Sequence, residues 1–205
     1  MAAALSARTP DPGLRTPHPI IGPRKLGVLL FVASESMVFL SVIAMYVTGQ
    51  AHLGHPNPQE TLNAGRMIPY SVALWLSSGA IALCPGRVRR GDQRGMRLLL
   101  GVTIVLGSIF LAGELIEWLD LFGQQITAAS NVWATTFFTL TGIHGMHVIV
   151  GLLMMAALIG SSYRHPIPHS SESSLELVSL YWHFVDGMWV LIYGVVYFWS
   201  AFLGG

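Results

Sequence analysis

Five stretches of this 205-residue chain, at about 26–47, 68–84, 98–122, 133–160 and 176–203, are long, apolar and almost free of charge. Crossing a hydrocarbon core about 30 Å thick takes about 20 largely apolar residues in helical form. Each run meets that requirement, although the second is short and carries Pro69 in its first turn, where proline is tolerated. The intervals hold turn formers: Gly54-His55-Pro56-Asn57-Pro58, Pro85-Gly86, residues 123–131, and His165-Pro166-Ile167-Pro168. Only 10% of the residues are charged, against roughly a quarter in a soluble domain. The prediction is an all-α, polytopic bundle of five transmembrane helices. Residues 25–205 form one membrane domain, and a proline-rich tail, residues 1–24, precedes it without the apolar core of a signal peptide.

Orientation follows from the basic residues. Arg8, Arg15, Arg24 and Lys25 precede the first run; Arg87, Arg89, Arg90, Arg94 and Arg97 separate the second from the third; Arg164 separates the fourth from the fifth. Arg66 alone falls on the other side. Positive residues stay cytoplasmic, which puts the N terminus inside and the C terminus outside. Trp118, Trp133, Tyr163 and Trp199, near helix ends, read as interfacial anchors. A net charge of +1 gives no nucleic-acid footprint, and the single cysteine, Cys84, excludes an intrachain disulfide and reads as a small buried hydrophobe.

Ionisable groups in hydrocarbon are costly, so each needs a partner or a function. At 1.5 Å of rise per residue, Glu35 lies about 14 Å into the first run, His144 about 16 Å into the fourth and Asp186 about 15 Å into the fifth, all near mid-membrane. His147 and His183 share a level nearer the cytoplasm. His144 and His147 stand at i and i+3, as do His183 and Asp186, and Glu114 and Glu117. Each pair therefore shares a helix face. His144, His147, His183 and Asp186 admit a metal site, because imidazole and carboxylate suit iron, zinc or copper. They equally admit a buried hydrogen-bond cluster joining helices. Glu35, with no base in its own helix, reads either as a proton-linked carboxyl or as a neutral acid bonded to a neighbour. Glu114 calls for a buried partner, whereas Glu117 and Asp120 read as solvated at the helix exit. Ser34, Ser36, Ser77, Ser78, Gly79, Thr141, Gly142 and Gly145 read as close-packing positions.

Several segments, in order, resemble cytochrome c oxidase subunit III. The run Phe31-Val32-Ala33-Ser34-Glu35-Ser36-Met37-Val38-Phe39 is similar to that family's Ser-Glu helix. Ser77-Ser78-Gly79 is similar to its small-residue stretch, and Glu114-Leu115-Ile116-Glu117-Trp118 to its carboxylate-and-aromatic helix end, where the family often has Gln at the position of Glu114. Phe137-Phe138 with Thr141-Gly142-Ile143-His144-Gly145-Met146-His147-Val148-Ile149-Val150-Gly151, and Tyr181-Trp182-His183-Phe184-Val185-Asp186 followed by Trp189 and Tyr193, are very close to its signatures. The longer members have seven spans; this chain has five, like subunits III of quinol oxidases and a relative associated with nitric oxide reduction.

The resemblance implies a non-catalytic subunit of a proton-pumping haem–copper terminal oxidase. It would pack on subunit I beside subunit II, support proton uptake, and sit in a bacterial cytoplasmic membrane, with a respiratory supercomplex as a further assembly. It also implies that haem and copper belong to partner subunits and that this chain holds no metal, cofactor or catalytic residue. Glu35, Glu114, Glu117, His144, His147, His183 and Asp186 then become buried polar motif residues. His147, His183, Arg87, Arg89 and Arg90 become candidate contacts for bound phospholipid. An intramembrane metalloenzyme, or a small proton-coupled carrier working through Glu35 and Asp186, is the rival reading. Reporter fusions should place the Arg87–Arg97 loop in the cytoplasm and Gly205 outside; an external loop would overturn the orientation.

Overall fold

Inside a bilayer no water is available to backbone amides and carbonyls, so a spanning segment must satisfy them within itself as a helix. The computed structural model describes residues 22–53, 62, 64–167 and 174–199. All but the last few residues of the proline-rich tail, and the turn at residues 54–58, lie outside them. The elements are α1 (Pro23–Leu53), α2 (Ala64–Ala82), a short α3 (Cys84–Arg89), α4 (Gln93–Gly123), α5 (Val132–Ser162) and α6 (Ser174–Tyr193), which continues as a π-helical segment, Gly194–Trp199. Five of them, with α2 and α3 counted as one span, are long and apolar enough to cross a membrane.

The helices run beyond the apolar stretches because polar side chains cap them at the interface. Asp92 accepts the amide of Gly95 at 2.8 Å to start α4, and Asn131 accepts that of Ala134 at 2.8 Å to start α5. The second span breaks at Leu83 and restarts with Pro85 near the beginning of α3. Proline has no amide to continue the earlier ladder but is accepted in a first turn.

Helices α2, α4, α5 and α6 close into a ring in which each packs on two neighbours, and α1 lies outside it against α5 and α6. The exterior is apolar: Leu30, Met37, Leu98 and Leu153 are among its most exposed side chains. The interior is mixed, with Ser71, Ser77, Thr103, Thr136 and Thr141 buried beside Trp133, Trp182 and Trp189. Lipid accepts the outer hydrocarbon, so polar groups withdraw to the seams between helices.

Four indoles tie the seams. Trp182 donates to Ser77 Oγ at 3.0 Å and Trp189 to Ser71 Oγ at 2.9 Å, joining α6 to α2. Trp118 donates to Thr141 Oγ1 at 3.1 Å, joining α4 to α5, and Trp133 donates to Tyr46 Oη at 3.1 Å, joining α5 to α1. Such bonds contribute about 0.6 kcal/mol on average in a membrane. Trp118 and Trp133 therefore serve as interhelical ties. Tyr163 is exposed as an anchor should be, while the side chain of Trp199 lies outside the description.

Trp182 reaches Ser77 because two glycines make room. A Cβ on Gly151 would stand 2.7 Å from the indole ring, and one on Gly107 would stand 3.0 Å from it. Gly151→Val should therefore destabilise the protein by about 1–3 kcal/mol. Gly187→Val, where nothing lies within 4 Å of an added Cβ, should not. Thermal unfolding of the detergent-solubilised protein separates the two.

Candidate functional site

The acid of α1 meets a base from α5. Glu35 Oε2 lies 3.3 Å from His147 Nε2, and both side chains are largely shielded. His147 Nδ1 stands 2.8 Å from the carbonyl of Ile143. A carbonyl can only accept, so Nδ1 carries the hydrogen and Nε2 is left facing the carboxyl. A hydrogen bond between the two groups takes one further proton, on either the carboxyl or Nε2. Glu35 thus does have a basic partner, although its own helix supplies none, because the two depths read from sequence meet once α1 leans on α5.

Around the pair, Phe39 lies 5.3 Å from the His147 ring, and Tyr181 lies 6.3 Å away in a stacked orientation. The Tyr181 hydroxyl donates to the His147 carbonyl at 3.0 Å. Glu35 and His147 both line a groove of about 640 Å³ between α1, α5 and α6 that extends to Gly27 and Ser174. Those two residues lie near the end of the bundle where the arginines cluster.

His144 does not join them. It is wholly buried, stacked on Trp189 at 5.0 Å with Phe110 edge-on at 5.6 Å, and neither ring nitrogen has a hydrogen-bond partner. His183 is exposed on the outer face of α6, while Asp186 is half-buried with one unpartnered oxygen. Sharing a face three residues apart did not bring these four residues together, because α1 claims His147 and His183 lies on the exposed side of α6. Among the described residues no group of three or more His, Cys, Asp or Glu is placed to hold a metal ion.

The glutamates of α4 reverse their expected roles. Glu117 is buried and accepts from the Tyr197 hydroxyl at 2.9 Å, a partner in the π-helical segment. Solvation at the helix exit falls to Asp120 instead, which forms an exposed ion pair with Arg66. Arg66 was the lone cation on its side, and an acid at the same level was the available clue. Glu114 is buried over Gly145, where a Cβ would stand 2.9 Å from its Oε2, and neither oxygen has a partner. Arg87 pairs with Asp92 at 3.3 Å, and Arg89 and Arg90 are exposed nearby. Cys84 is buried, with only weak approaches to the carbonyls of Ala80 and Met96.

The fold and this polar interior define a class: a polytopic helical membrane protein with ionisable groups buried among its helices, Glu35 and Glu117 among them paired across seams. The family model for cytochrome c oxidase subunit III matches residues 13–201. A cytochrome c oxidase subunit 3 of Synechocystis is 33% identical over 184 residues, covering 88% of this chain and 76% of the relative. A probable cytochrome c oxidase subunit 3 of Mycobacterium leprae is 31% identical over 174 residues, covering 84% and 86%. One from Corynebacterium diphtheriae is 31% identical over 177 residues with the same coverage. The chain belongs to the cytochrome c oxidase subunit III family, and is a subunit of a haem–copper oxidase complex.

Leaving a buried polar group without a partner costs about 1–3 kcal/mol. Glu114→Met keeps the volume and removes that cost, so it should raise the thermal stability of the solubilised protein. A clear loss of stability would mean that the carboxyl is satisfied after all.

Proposed function

We propose that this chain is a subunit without redox centres that flanks subunit I of an oxygen-reducing, proton-pumping oxidase and assists proton uptake. Haem and copper belong to partner subunits I and II, and the complex sits in a bacterial cytoplasmic membrane. The names of the relatives favour cytochrome c over quinol as the electron donor. The observation that carries the reading is the Glu35–His147 pair, an acid and a base 3.3 Å apart in an apolar groove that extends toward the arginine-rich end. Such a pair can pass a proton between its carboxyl and its imidazole without changing its net charge. His144 and the Glu114 carboxyl, both without partners, pack in the bundle and lie outside this role.

The test begins with the purified complex. Tagged full-length chain should carry haem-containing partners with it and show their visible spectrum. Within that complex, Glu35→Gln keeps a donor toward Nε2 but cannot release its proton. Assembly and haem content should stay normal, while oxygen turnover falls or decays sooner, most strongly at high pH where protons are scarce. Normal turnover and pumping in a fully assembled Glu35→Gln complex would reduce the pair to a packing contact. Recovery of the chain without any haem protein would overturn the wider reading.

A further inference from the structure

The outer face of the ring carries a second groove, remote from the Glu35–His147 pair. It runs between α4 and α5, encloses about 760 Å³, and is headed by Arg94 and Arg97. Below the arginines its lining is hydrocarbon and glycine: Gly101, Val102, Val105 and Ile159. We infer that this groove seats one anionic phospholipid, with the phosphate on Arg94 and Arg97 and one acyl chain laid along α4.

Three features select that occupant. The head is built before any ligand arrives. Arg97 Nε donates to Ser162 Oγ at 2.9 Å and Nη2 donates to the Ser162 carbonyl at 2.6 Å, while its guanidinium lies 4.1 Å from the centroid of the Tyr163 ring. Two of five guanidinium hydrogens are thus engaged with α5, and the others remain for an acceptor. Arg94, one turn away on the same helix face, is exposed and makes no ion pair among the described residues. One anchored guanidinium and one exposed neighbour, neither in an ion pair among the described residues, call for an anion.

Length comes next. Eleven residues separate Arg94 from Val105, about 16 Å along the helix. That is about half of the 30 Å hydrocarbon core, the depth one acyl chain occupies. A free phosphate would use the arginines and leave the apolar trough empty. A partner helix would fill the trough and leave the paired charges without an anion. Finally, the trough owes its depth to a missing side chain, since a Cβ on Gly101 would meet nothing within 4 Å.

The same gap supplies the test. Gly101→Phe fills the trough and leaves both arginines in place, its Cβ meeting nothing within 4 Å. Arg94→Gln removes half of the head without touching the bonds to Ser162. The purified complex containing the full chain, reconstituted in phosphatidylcholine bilayers, is exposed to phosphatidylglycerol bearing a diazirine on one acyl chain, then irradiated and mapped by peptide mass spectrometry. Labelling should concentrate on residues 98–106 and on Ile159; it should fall about tenfold in Arg94→Gln, as the loss of one charge-assisted contact implies, and drop to background in Gly101→Phe, where the trough is filled. The matching phosphatidylcholine probe should label these residues only at background. Equal labelling by both probes, or unchanged labelling in Gly101→Phe and Arg94→Gln, would overturn the inference and leave only ordinary bilayer contact. Loss of the label to excess inorganic phosphate in detergent would overturn it in favour of a plain anion site.

Discussion

Helices already dissolved in lipid gain nothing from hiding hydrocarbon, so something other than the hydrophobic effect must make them choose neighbours. In this protein the choice rests on indole-to-hydroxyl bonds. Trp182 and Trp189 bind α6 to two serines of α2, Trp118 binds α4 to α5, and Trp133 binds α5 to α1. Each joins a bulky flat surface, which fixes distance, to a directional bond, which fixes rotation. With those rotations set, the remaining side chains have few options left: Gly151 and Gly107 must be small, His144 must stack on Trp189, and His147 must face α1.

The same geometry sorts the acids. Glu35 and Glu117 find a partner across a seam, in His147 and Tyr197, whereas Asp120 stays at the surface with Arg66. Glu114 is the exception, held over Gly145 with no donor. Glu35 is the one of these acids that both faces a basic side chain across a seam and borders a groove. The proposed proton role rests on that combination.

Much of the architecture was legible from the chain because hydropathy reports directly on the solvent. Five apolar runs became five spans, and Pro85-Gly86 marked a real break. Facing was far harder to read. A soluble helix reveals its buried side by an apolar stripe, but these helices are apolar all round, so rotation leaves little trace in the pattern. His183 and Trp133 illustrate the loss: a histidine placed inside proved exposed, and a tryptophan placed at the interface proved buried. The pairing of Glu35 with His147 was equally hidden, since it joins residues 112 positions apart through a packing angle that no local signal encodes. Motif likeness filled part of that gap by identifying which residues matter, without saying which way each one turns.

The position of α1 outside the ring bears on how the protein is made. Its neighbours are α5 and α6, with Trp133 and His147 supplying its specific ties. Yet α1 ends at Leu53 and α5 begins at Val132. At about 5–20 residues per second, the ribosome takes on the order of ten seconds to deliver the helix that α1 needs. Throughout that interval α1 waits in the bilayer without either of its neighbours, the first of these five spans to be made and among the last to be docked. It is suited to waiting: its hydropathy equals the highest of the five spans and scarcely any of its surface is buried even at the end. Glu35 is the one acidic side chain it carries during the wait, and capture by His147 both closes the bundle and ends that exposure.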